Sequence, residues 1–436
     1  MLHVMKIEIY LDGRWQHGAD LTGDPGNRQR PVRLVYAADY AADHLFARDL
    51  HAVSVRLPVD FGEREYTNWP AFLIDLLPQG AARRRLERAA GVELTEWDLL
   101  RRGAFNPVGN LRVIPDVLPP LLQHRPFTLE EMTRRGDEFL EYAAGVGAAV
   151  TGATDTQGEA PKFWIVQDAE GRWYPDDGNC DGFAQAHALL KFPIPEAGIN
   201  AQRILKNEAA FQRVAQRLGM RTTDAHPYYT DGALVVPRFD RRVRAGRVER
   251  LGVESLYALA GVTDSTQPLR HDQVLLELAQ ILTDFDSELR EYVWRDLFNL
   301  AVGNRDNHGR NTAVLKEADG TIRLAPLFDI GPAFLDARAI TRVLRWDGEA
   351  PGVITWPQVL DRLELRSSEA GVEIDTGQVA RHMGDFGDQL QALPELMREC
   401  EVDELVIEQR QADIERLVNG LSHCREWRPK NATRPS

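Results

Sequence analysis

Three side chains with oxygen donor atoms lie at a spacing along the chain that suits phosphoryl transfer. Asp306 and Asn311 lie five positions apart in the polar run of residues 303–311, directly after an apolar helical segment. A second acidic residue, Asp329, follows in an apolar stretch. A carboxylate can orient an acceptor hydroxyl and take its proton, and hard oxygen donors are the ligands that magnesium prefers. The spacing therefore predicts that Asp306 is the catalytic residue and that Asn311 and Asp329 hold the metal.

Each of these residues also has a simpler structural interpretation. Residues 303–311 are rich in turn formers, so Asp306 could belong to a turn that merely ends a helix. Asp329 could cap the turn that follows it. The spacing of the three residues along the chain suits phosphoryl transfer, and this favours the chemical interpretation. His308 has no His or Cys partner at metal spacing, so we expect it to brace the loop near the nucleotide phosphates rather than to bind zinc.

Lys191 is a candidate ligand for nucleotide phosphates. It lies in an apolar strand, where an unpaired ammonium group would be costly. Phosphates together with a carboxylate would satisfy it, and Glu208 on the next predicted helix is the expected partner. The alternative is a lysine on an edge strand that reaches solvent.

Two further segments are candidates for contacts with the nucleotide. The glycine-containing residues 151–158 precede the Lys191 strand, and their backbone N–H groups could cradle phosphates. The segment matches neither GxxxxGK[ST] nor GxGxxG. Its assignment as a phosphate-binding loop therefore depends on its place just before the Lys191 strand, and a plain loop is the alternative. Farther along, the backbone of residues 237–239 could bind the edge of adenine. The predicted residues of these segments are Thr151, Gly152, Ala153, Pro237, Arg238 and Phe239.

Composition limits the class of protein. The chain has 436 residues, of which 43% are hydrophobic and 27% charged, as in a globular protein of two or three domains. It has no apolar run of the length that a membrane span requires, so no membrane association is expected. Three scattered cysteines fit neither a disulfide framework nor a zinc cluster, which favours a cytoplasmic location.

The net charge of −14 argues against nucleic-acid binding by the whole surface. Two local basic clusters stand out against it, and each is interpreted more simply as a solvated helix face or a hairpin. The clusters are Arg83, Arg84, Arg85 and Arg88, and Arg238, Arg241, Arg242, Arg244, Arg247 and Arg250.

The elements that must position these residues change in character along the chain. The start reads as short strands with a hairpin turn at Asp12–Gly13, and residues 81–102 and 129–142 each read as a helix. A glycine loop, a strand, the Lys191 strand, a helix and a further strand then follow one another, as in the small lobe of a protein kinase. From about residue 255 the pattern is mostly helical, and a long buried helix should lead into the Asp306 loop. We expect three domains, at 1–125, 126–245 and 246–436.

Several motifs together resemble the HipA family of bacterial toxin kinases. The family's catalytic run, Asp followed by x-His-x-x-Asn, corresponds to residues 306–311, and its magnesium run, Leu-x-Pro-x-Tyr/Phe-Asp, to residues 324–329. The family's Val-x-Arg-Phe-Asp-Arg segment corresponds to residues 236–241. Its Leu-Leu-Pro and Val-Gly-Asn segments appear at 76–78 and 108–110, so the resemblance covers nearly the whole chain.

The resemblance implies an α+β, protein-kinase-like bilobal fold with a β-rich N-terminal subdomain of the HipA type and a mostly helical C-terminal lobe. It implies ATP and Mg²⁺ as cofactors and serine/threonine phosphorylation of a protein, in the role of toxin of a type II toxin–antitoxin system. Family members studied as toxins act on aminoacyl-tRNA synthetases. It also implies a helix-turn-helix, HipB-like antitoxin as partner, with DNA contacted only indirectly through that antitoxin.

The chain departs from the family pattern at the glycine loop. The family's compact Ser-x-x-Gly-Ala-Gln-x-Lys becomes Ala149 to Ala153, then an insertion, then Lys162, which takes the place of the family's nucleotide-binding lysine. Ala149 occupies the position of the serine that some members phosphorylate on themselves, and Thr151, Thr154 and Thr156 substitute for it only by proximity.

Two other functions compete with a protein kinase. One is a kinase-fold phosphotransferase that acts on a small molecule or lipid. The other is a nucleotide-binding corepressor that stabilises its DNA-binding partner without turnover, which the complete set of Asp306, Asn311, Asp329 and Lys191 disfavours.

Overall fold

The computed structural model describes residues 2–24, 31–78, 80–114, 123–145, 162–263, 267–349 and 354–429. Thr151, Gly152 and Ala153 of the predicted glycine loop, and Ala149, lie outside the described residues. The chain divides into two compact units, each assembled from separate stretches of sequence. The first unit comprises Met1–Glu196, Pro227–Gln267 and Ala313–Ile322, and the second comprises Ala197–His226, Pro268–Thr312 and Arg323–Ser436. The three-domain division stays a prediction.

The secondary structure passes from mainly strands to mainly helices along the chain. The strands are β1 (His3–Leu11), β2 (Arg14–Gly23), β3 (Val32–Tyr36), β4 (Arg64–Tyr66), β5 (Leu111–Val113), β6 (Lys162–Gln167), β7 (Trp173–Pro175), β8 (Ala186–Lys191), β9 (Tyr228–Thr230), β10 (Ala233–Pro237), β11 (Arg241–Arg244), β12 (Arg247–Arg250), β13 (Gly252–Ser255), β14 (Leu269–Arg270), β15 (Ala313–Lys316), β16 (Ile322–Leu324) and β17 (Leu344–Arg345). The α-helices are α1 (Ala38–Asp43), α2 (Gly80–Ala90), α3 (Glu96–Gly103), α4 (Leu129–Thr133), α5 (Asp137–Gly145), α6 (Ala201–Arg217), α7 (Leu256–Leu259), α8 (His271–Ile281), α9 (Phe285–Val302), α10 (Trp356–Ala370), α11 (Thr376–Leu390), α12 (Leu393–Glu399) and α13 (Glu404–Ser422). Short 3₁₀ helices lie at Ala71–Asp75, Cys180–Gly182, Pro195–Asn200, Ala333–Leu335 and His423–Arg425.

The first unit begins with a five-stranded antiparallel sheet in the order β4-β3-β2-β1-β5. The β1–β2 hairpin turns at Asp12 and Gly13, which both have positive φ (52° and 79°), as a tight hairpin turn requires. Alternate residues of β1 such as Ile7 and Ile9 are fully buried in the core beneath the sheet. The hairpin predicted from Asp-Gly is therefore confirmed.

A second antiparallel sheet, in the order β7-β6-β8-β10-β9, carries the two predicted lysines. One face presents Phe163 and Leu190 to a hydrophobic core that also contains Phe139. Residues directly opposite in an antiparallel pair share a face, and Lys162 lies opposite Lys191 in the β6–β8 register. Both lysines therefore lie on the face turned away from that core.

The second unit is mainly helical, and its central element is α9. The five residues that suggested a long buried helix are all buried within α9: Leu289, Tyr292, Val293, Phe298 and Ala301. The helix packs against α11, where the Trp294 and Phe386 rings lie 5.3 Å apart between centroids. This predicted helix is confirmed, and it ends immediately before the Asp306 loop.

Two segments that the sequence predicted as single helices are each divided. In residues 81–102 the break follows Gly91, at φ 68°, and Thr95 begins α3 with a capping box to Asp98. In residues 129–142 the chain turns at Arg135, at φ 54°, and α5 begins after Gly136. Local capping and left-handed backbone thus overrode the helical periodicity.

None of the helices within the described ranges combines the length and the apolar composition that crossing a membrane requires. Cys180, Cys400 and Cys424 are all free thiols in buried positions.

Candidate active site

The loop that carries Asp306 starts from a fixed point. Helix α9 ends at Gly303 in the left-handed conformation (φ 72°), and a Cβ there would lie only 2.6 Å from Phe334 Cδ1. Asn304 then ties the loop to the helix, because its backbone N–H donates to the Asn299 carbonyl (2.9 Å) and its side-chain amide donates to Asn299 Oδ1 (2.7 Å). Glycine is required at this junction by both conformation and space.

Within the loop, hydrogen bonds connect the predicted base to the predicted metal ligand. Asn311 Nδ2 donates to the backbone oxygen of Asp306 (2.8 Å), and the Asn311 N–H donates to the His308 carbonyl (2.9 Å). The donor end of the Asn311 amide is thereby committed to the loop, which leaves Oδ1 as the end that would ligate a cation. The Asp306 side chain is 30% exposed, so a substrate hydroxyl can reach it.

His308 is hydrogen-bonded within this loop. Its Nδ1 accepts a hydrogen bond from the Arg310 N–H (3.3 Å). Its Nε2 lies 3.9 Å from Asp306 Oδ1, and the side chain is buried. Its role as a brace of the loop near the nucleotide phosphates stays a prediction.

Asp329 is held by the chain on either side of it. The N–H of Leu327 donates to the Arg221 carbonyl (2.8 Å), and Gln212 of α6 donates to the Leu327 carbonyl (2.9 Å). Asp329 itself has φ 54°, a left-handed backbone that a non-glycine residue adopts at some energetic cost. Such a conformation is typical of functional positions.

One backbone hydrogen bond joins the two chain segments that carry the acidic residues. The Phe334 N–H, five positions after Asp329, donates to the carbonyl of Gly303, three positions before Asp306 (3.2 Å). The 3₁₀ helix at Ala333–Leu335 begins at Pro332 without a side-chain cap, so Asp329 does not serve as the cap of that helix. An Asn amide oxygen and an Asp carboxylate are both hard oxygen donors, and this set fits magnesium.

Lys162 and Lys191 lie side by side on one face of the second sheet. They are Cα partners in the β6–β8 register, so their like charges lie close together. Lys191 is only 5% exposed. Their contact with nucleotide phosphates stays a prediction. Glu208 is buried in α6 of the second unit, and its pairing with Lys191 stays a prediction.

The structure narrows the prediction for Pro237, Arg238 and Phe239. The Arg238 N–H donates to the carbonyl of His187 (2.9 Å), so it is not a donor to adenine. A backbone contact with adenine would have to come from the other backbone groups of residues 237–239. The Arg238 side chain is buried, forms two hydrogen bonds to Asp240 (2.9 and 2.7 Å) and stacks 3.9 Å over the Trp164 ring. It is a structural residue.

Three arginines of the second basic cluster face inward rather than forming a surface for nucleic acid. Arg238 and Arg241 share the Asp240 carboxylate, and Arg250 pairs with Asp181 (2.8 Å). Burial alone would raise the pKa of Asp240, but the two arginines outweigh it and hold that pKa well below its usual range. The hairpin interpretation of this cluster is correct.

Cys180 lies close to two other donor atoms. Its Sγ, Asp177 Oδ1 and His124 Nε2 all lie within 4.8 Å of one another. The thiol donates to Asp177 (3.6 Å), and burial raises the pKa of Cys180. A buried neutral thiol in a hydrogen bond has a structural role.

The sequence interpretation missed a buried ion network behind the catalytic loop. Asp296 of α9 accepts from Asn307 of the loop (3.3 Å), from Trp346 (2.8 Å) and from Arg342 (2.8 Å), and His271 lies 3.0 Å away. Burial would raise the pKa of Asp296, but Arg342 and then His271 hold it well below its usual range. The available signal was an acidic residue in the middle of the predicted helix, one turn after Tyr292 and directly before Leu297 and Phe298.

We expect Asp296→Asn to destabilise the protein by about 1 to 3 kcal/mol at neutral pH, because it removes one of the two carboxylates that pair with the largely buried Arg342 and leaves only Glu349. A carboxylate with a depressed pKa stabilises the fold fully above its unfolded pKa of about 3.9 and loses that effect as pH falls toward the folded pKa. The difference between wild type and variant should therefore shrink below about pH 4. Urea unfolding across this pH range measures it, with the exposed Asp286→Asn as control. A difference that stays constant with pH would contradict the assignment.

The family of the chain follows from comparison with known proteins. A family model described as the HipA-like C-terminal domain matches residues 154–387, which is more than half of the chain. The chain belongs to the HipA family. A relative from Sinorhizobium fredii, named "Putative kinase Y4mE", is 28% identical over 285 residues, which are 59% of this chain and 63% of that protein. The alignment thus spans less than two thirds of the relative's length.

The HipA fold is confirmed at the level of structure. The solved complex of the Shewanella oneidensis toxin–antitoxin proteins HipA and HipB with operator DNA matches with a TM-score of 0.65 over 97% of both chains, at 18% identity. The predicted α+β, kinase-like fold class is therefore correct. The Helicobacter pylori kinase CtkA matches with a TM-score of 0.39 over 63% of this chain and 94% of that one, at 10% identity.

Proposed function

We propose that this HipA-family chain is an ATP- and Mg²⁺-dependent serine/threonine protein kinase that acts as the toxin of a type II toxin–antitoxin system. The observation that carries the proposal is the loop geometry. Asn311 is bonded to the Asp306 backbone, and the Phe334–Gly303 hydrogen bond joins that loop to the Asp329 segment. A base and two oxygen ligands on two joined segments are the minimum that phosphoryl transfer requires.

In the proposed reaction each residue has a defined task. Asp306 orients the serine or threonine hydroxyl and accepts its proton as the new oxygen–phosphorus bond forms and the bond between the γ-phosphorus and the ADP oxygen breaks. Asn311 and Asp329 hold Mg²⁺, which when bound neutralises the developing charge on the phosphate oxygens. Lys162 and Lys191 bind nucleotide phosphates, and His308 keeps the Asp306 loop in place.

We further propose a HipB-like, helix-turn-helix antitoxin as partner, through which any contact with DNA is made. The Shewanella HipA was solved in such an assembly, together with HipB and operator DNA. The net charge of −14 is consistent with a chain that does not grip DNA phosphates by itself. The proposed substrate is a protein of translation, and an aminoacyl-tRNA synthetase is the class that the family resemblance favours.

Incubation of the purified chain with γ-labelled ATP and a cell lysate tests this proposal. We expect the label to enter proteins at serine or threonine. Phosphoproteomics after brief expression should identify the modified residues, which should appear with the native chain and not with Asp306→Asn. Label that enters only the small-molecule or lipid fraction would replace the protein-kinase assignment with the competing phosphotransferase. ATP binding without label in any fraction would favour the corepressor.

A further inference from the structure

A large cavity opens in the second unit directly behind the catalytic loop. Its volume is about 580 Å³, which is sufficient for several amino-acid side chains. It is bounded by the end of α9 and the first loop residues, by residues 340–349 together with Ile354 and Trp356, and by α13. None of the residues to which we have assigned a nucleotide or metal role lines it.

The wall of this cavity carries a net positive charge. It contains five arginines and two carboxylates, Glu349 and Asp413, which pair with Arg342, Arg410 and Arg416, in a chain whose net charge is −14. The arginines are Arg305, Arg342, Arg345, Arg410 and Arg416. A local excess of guanidinium groups in an acidic protein indicates recognition of anions, since guanidinium binds carboxylate in a two-point geometry.

Two of these arginines are fixed in the wall. Arg410 donates to the carbonyls of Ala301 (3.0 Å) and Leu300 (2.9 Å) at the end of α9. Arg342 is bound by Asp296 and Glu349 through its terminal nitrogens. Its side chain is only 10% exposed, yet its buried Nε has no hydrogen-bond partner in the part of the chain that the structure describes.

The other three arginines are more accessible. Arg305 is exposed, the side chain of Arg416 is 70% exposed, and Arg345 is partly buried. These side chains can reorient toward an incoming group, whereas Arg342 and Arg410 keep the shape of the wall. The cavity also presents apolar surface, from Leu300, Ile340, Ile354, Trp356 and Leu417. Its occupant therefore needs both acidic and apolar groups, which suits a polypeptide better than a free phosphate.

The position of the cavity in the chain indicates which kind of polypeptide segment would bind there. Asn304 and Arg305 line it, and the next residue is Asp306. A segment bound there would contact the two residues that directly precede Asp306 in the chain. We propose that this cavity binds acidic side chains of the protein substrate close to the phosphorylated serine or threonine, and so selects acidic sequences. This inference rests on the proposed kinase function.

The test compares two fluorescent peptides of the same length that contain one serine between alternating leucines and glutamates, or leucines and glutamines. We expect the glutamate peptide to bind at least about tenfold more tightly by fluorescence anisotropy, and to lose that advantage in high salt. Arg416→Glu should weaken its binding by about tenfold or more. The control is Arg381→Glu on α11, whose side chain is 65% exposed and does not line the cavity. Circular dichroism confirms that both variants fold, and Arg345→Glu provides a second test of the wall.

Equal binding of the two peptides, or equal effects of Arg416→Glu and Arg381→Glu, would overturn the inference. Phosphorylation of both peptides at the same kcat/KM would overturn the acidic selectivity and leave the kinase function standing. Selective binding without transfer to any hydroxyl would overturn the kinase function and leave an anion site.

Discussion

Replacing Asp306 with asparagine is expected to lower phosphoryl transfer by at least about 100-fold and up to about 10⁴-fold, the range that a positioned proton acceptor contributes. Asparagine has nearly the same shape but cannot take the hydroxyl proton. The loop should survive the change, because Asn311 bonds to the backbone oxygen of residue 306 and not to its side chain. Label transfer from γ-labelled ATP to protein measures the effect.

Two controls make the Asp306→Asn result specific. Thermal unfolding should give nearly the same Tm for variant and wild type, because the exchanged atoms are partly exposed. Asp286→Asn, at an exposed position in the first turn of α9, should leave transfer unchanged. Transfer that persists at the native rate in Asp306→Asn would remove this residue from the reaction.

Replacing Asp329 with asparagine is expected to lower transfer by roughly 10²- to 10³-fold and to raise the magnesium concentration needed for half-maximal rate. Asparagine keeps one oxygen donor but loses the negative charge. It also tolerates the left-handed backbone at this position (φ 54°), so that the effect is not one of misfolding. Rates measured across a magnesium titration separate the variant from the native chain, and a chelator should abolish transfer in the native chain.

The control for Asp329→Asn is Asp385→Asn, an aspartate of α11 whose side chain is 60% exposed. It should leave both the maximal rate and the magnesium dependence unaltered. A variant at position 329 with the native magnesium dependence would show that this carboxylate is not a ligand.

Local signals made part of the fold predictable. The Asp12–Gly13 turn and the α9 core positions each follow from a few neighbouring residues, and the structure confirms both. The same method failed where a break depended on one backbone angle, as at Gly91 and Arg135, because apolar periodicity continues across such a break. Helix α12 (Leu393–Glu399), between α11 and α13, was also not predicted.

The candidate site was predictable where its residues form a contiguous run. Asp306, His308 and Asn311 lie within six positions, and their mutual hydrogen bonds are local. The buried ion network behind these residues was not predictable, since Asp296 and Arg342 are far apart in sequence and meet only in the folded unit. The cationic cavity was missed for the same reason, because its arginines come from three separate segments.

A crystal structure of the chain with a non-hydrolysable ATP analogue, and with Mn²⁺ in place of Mg²⁺, would show directly whether the proposed metal site exists. The anomalous scattering of Mn²⁺ locates the cation. We expect one cation with Asn311 Oδ1 and the Asp329 carboxylate as ligands, at the roughly 2.1 Å that magnesium-type ligation requires, and the Asp306 carboxylate facing the terminal phosphate. A cation bound elsewhere, with neither residue 311 nor residue 329 among its ligands, would contradict the proposed site.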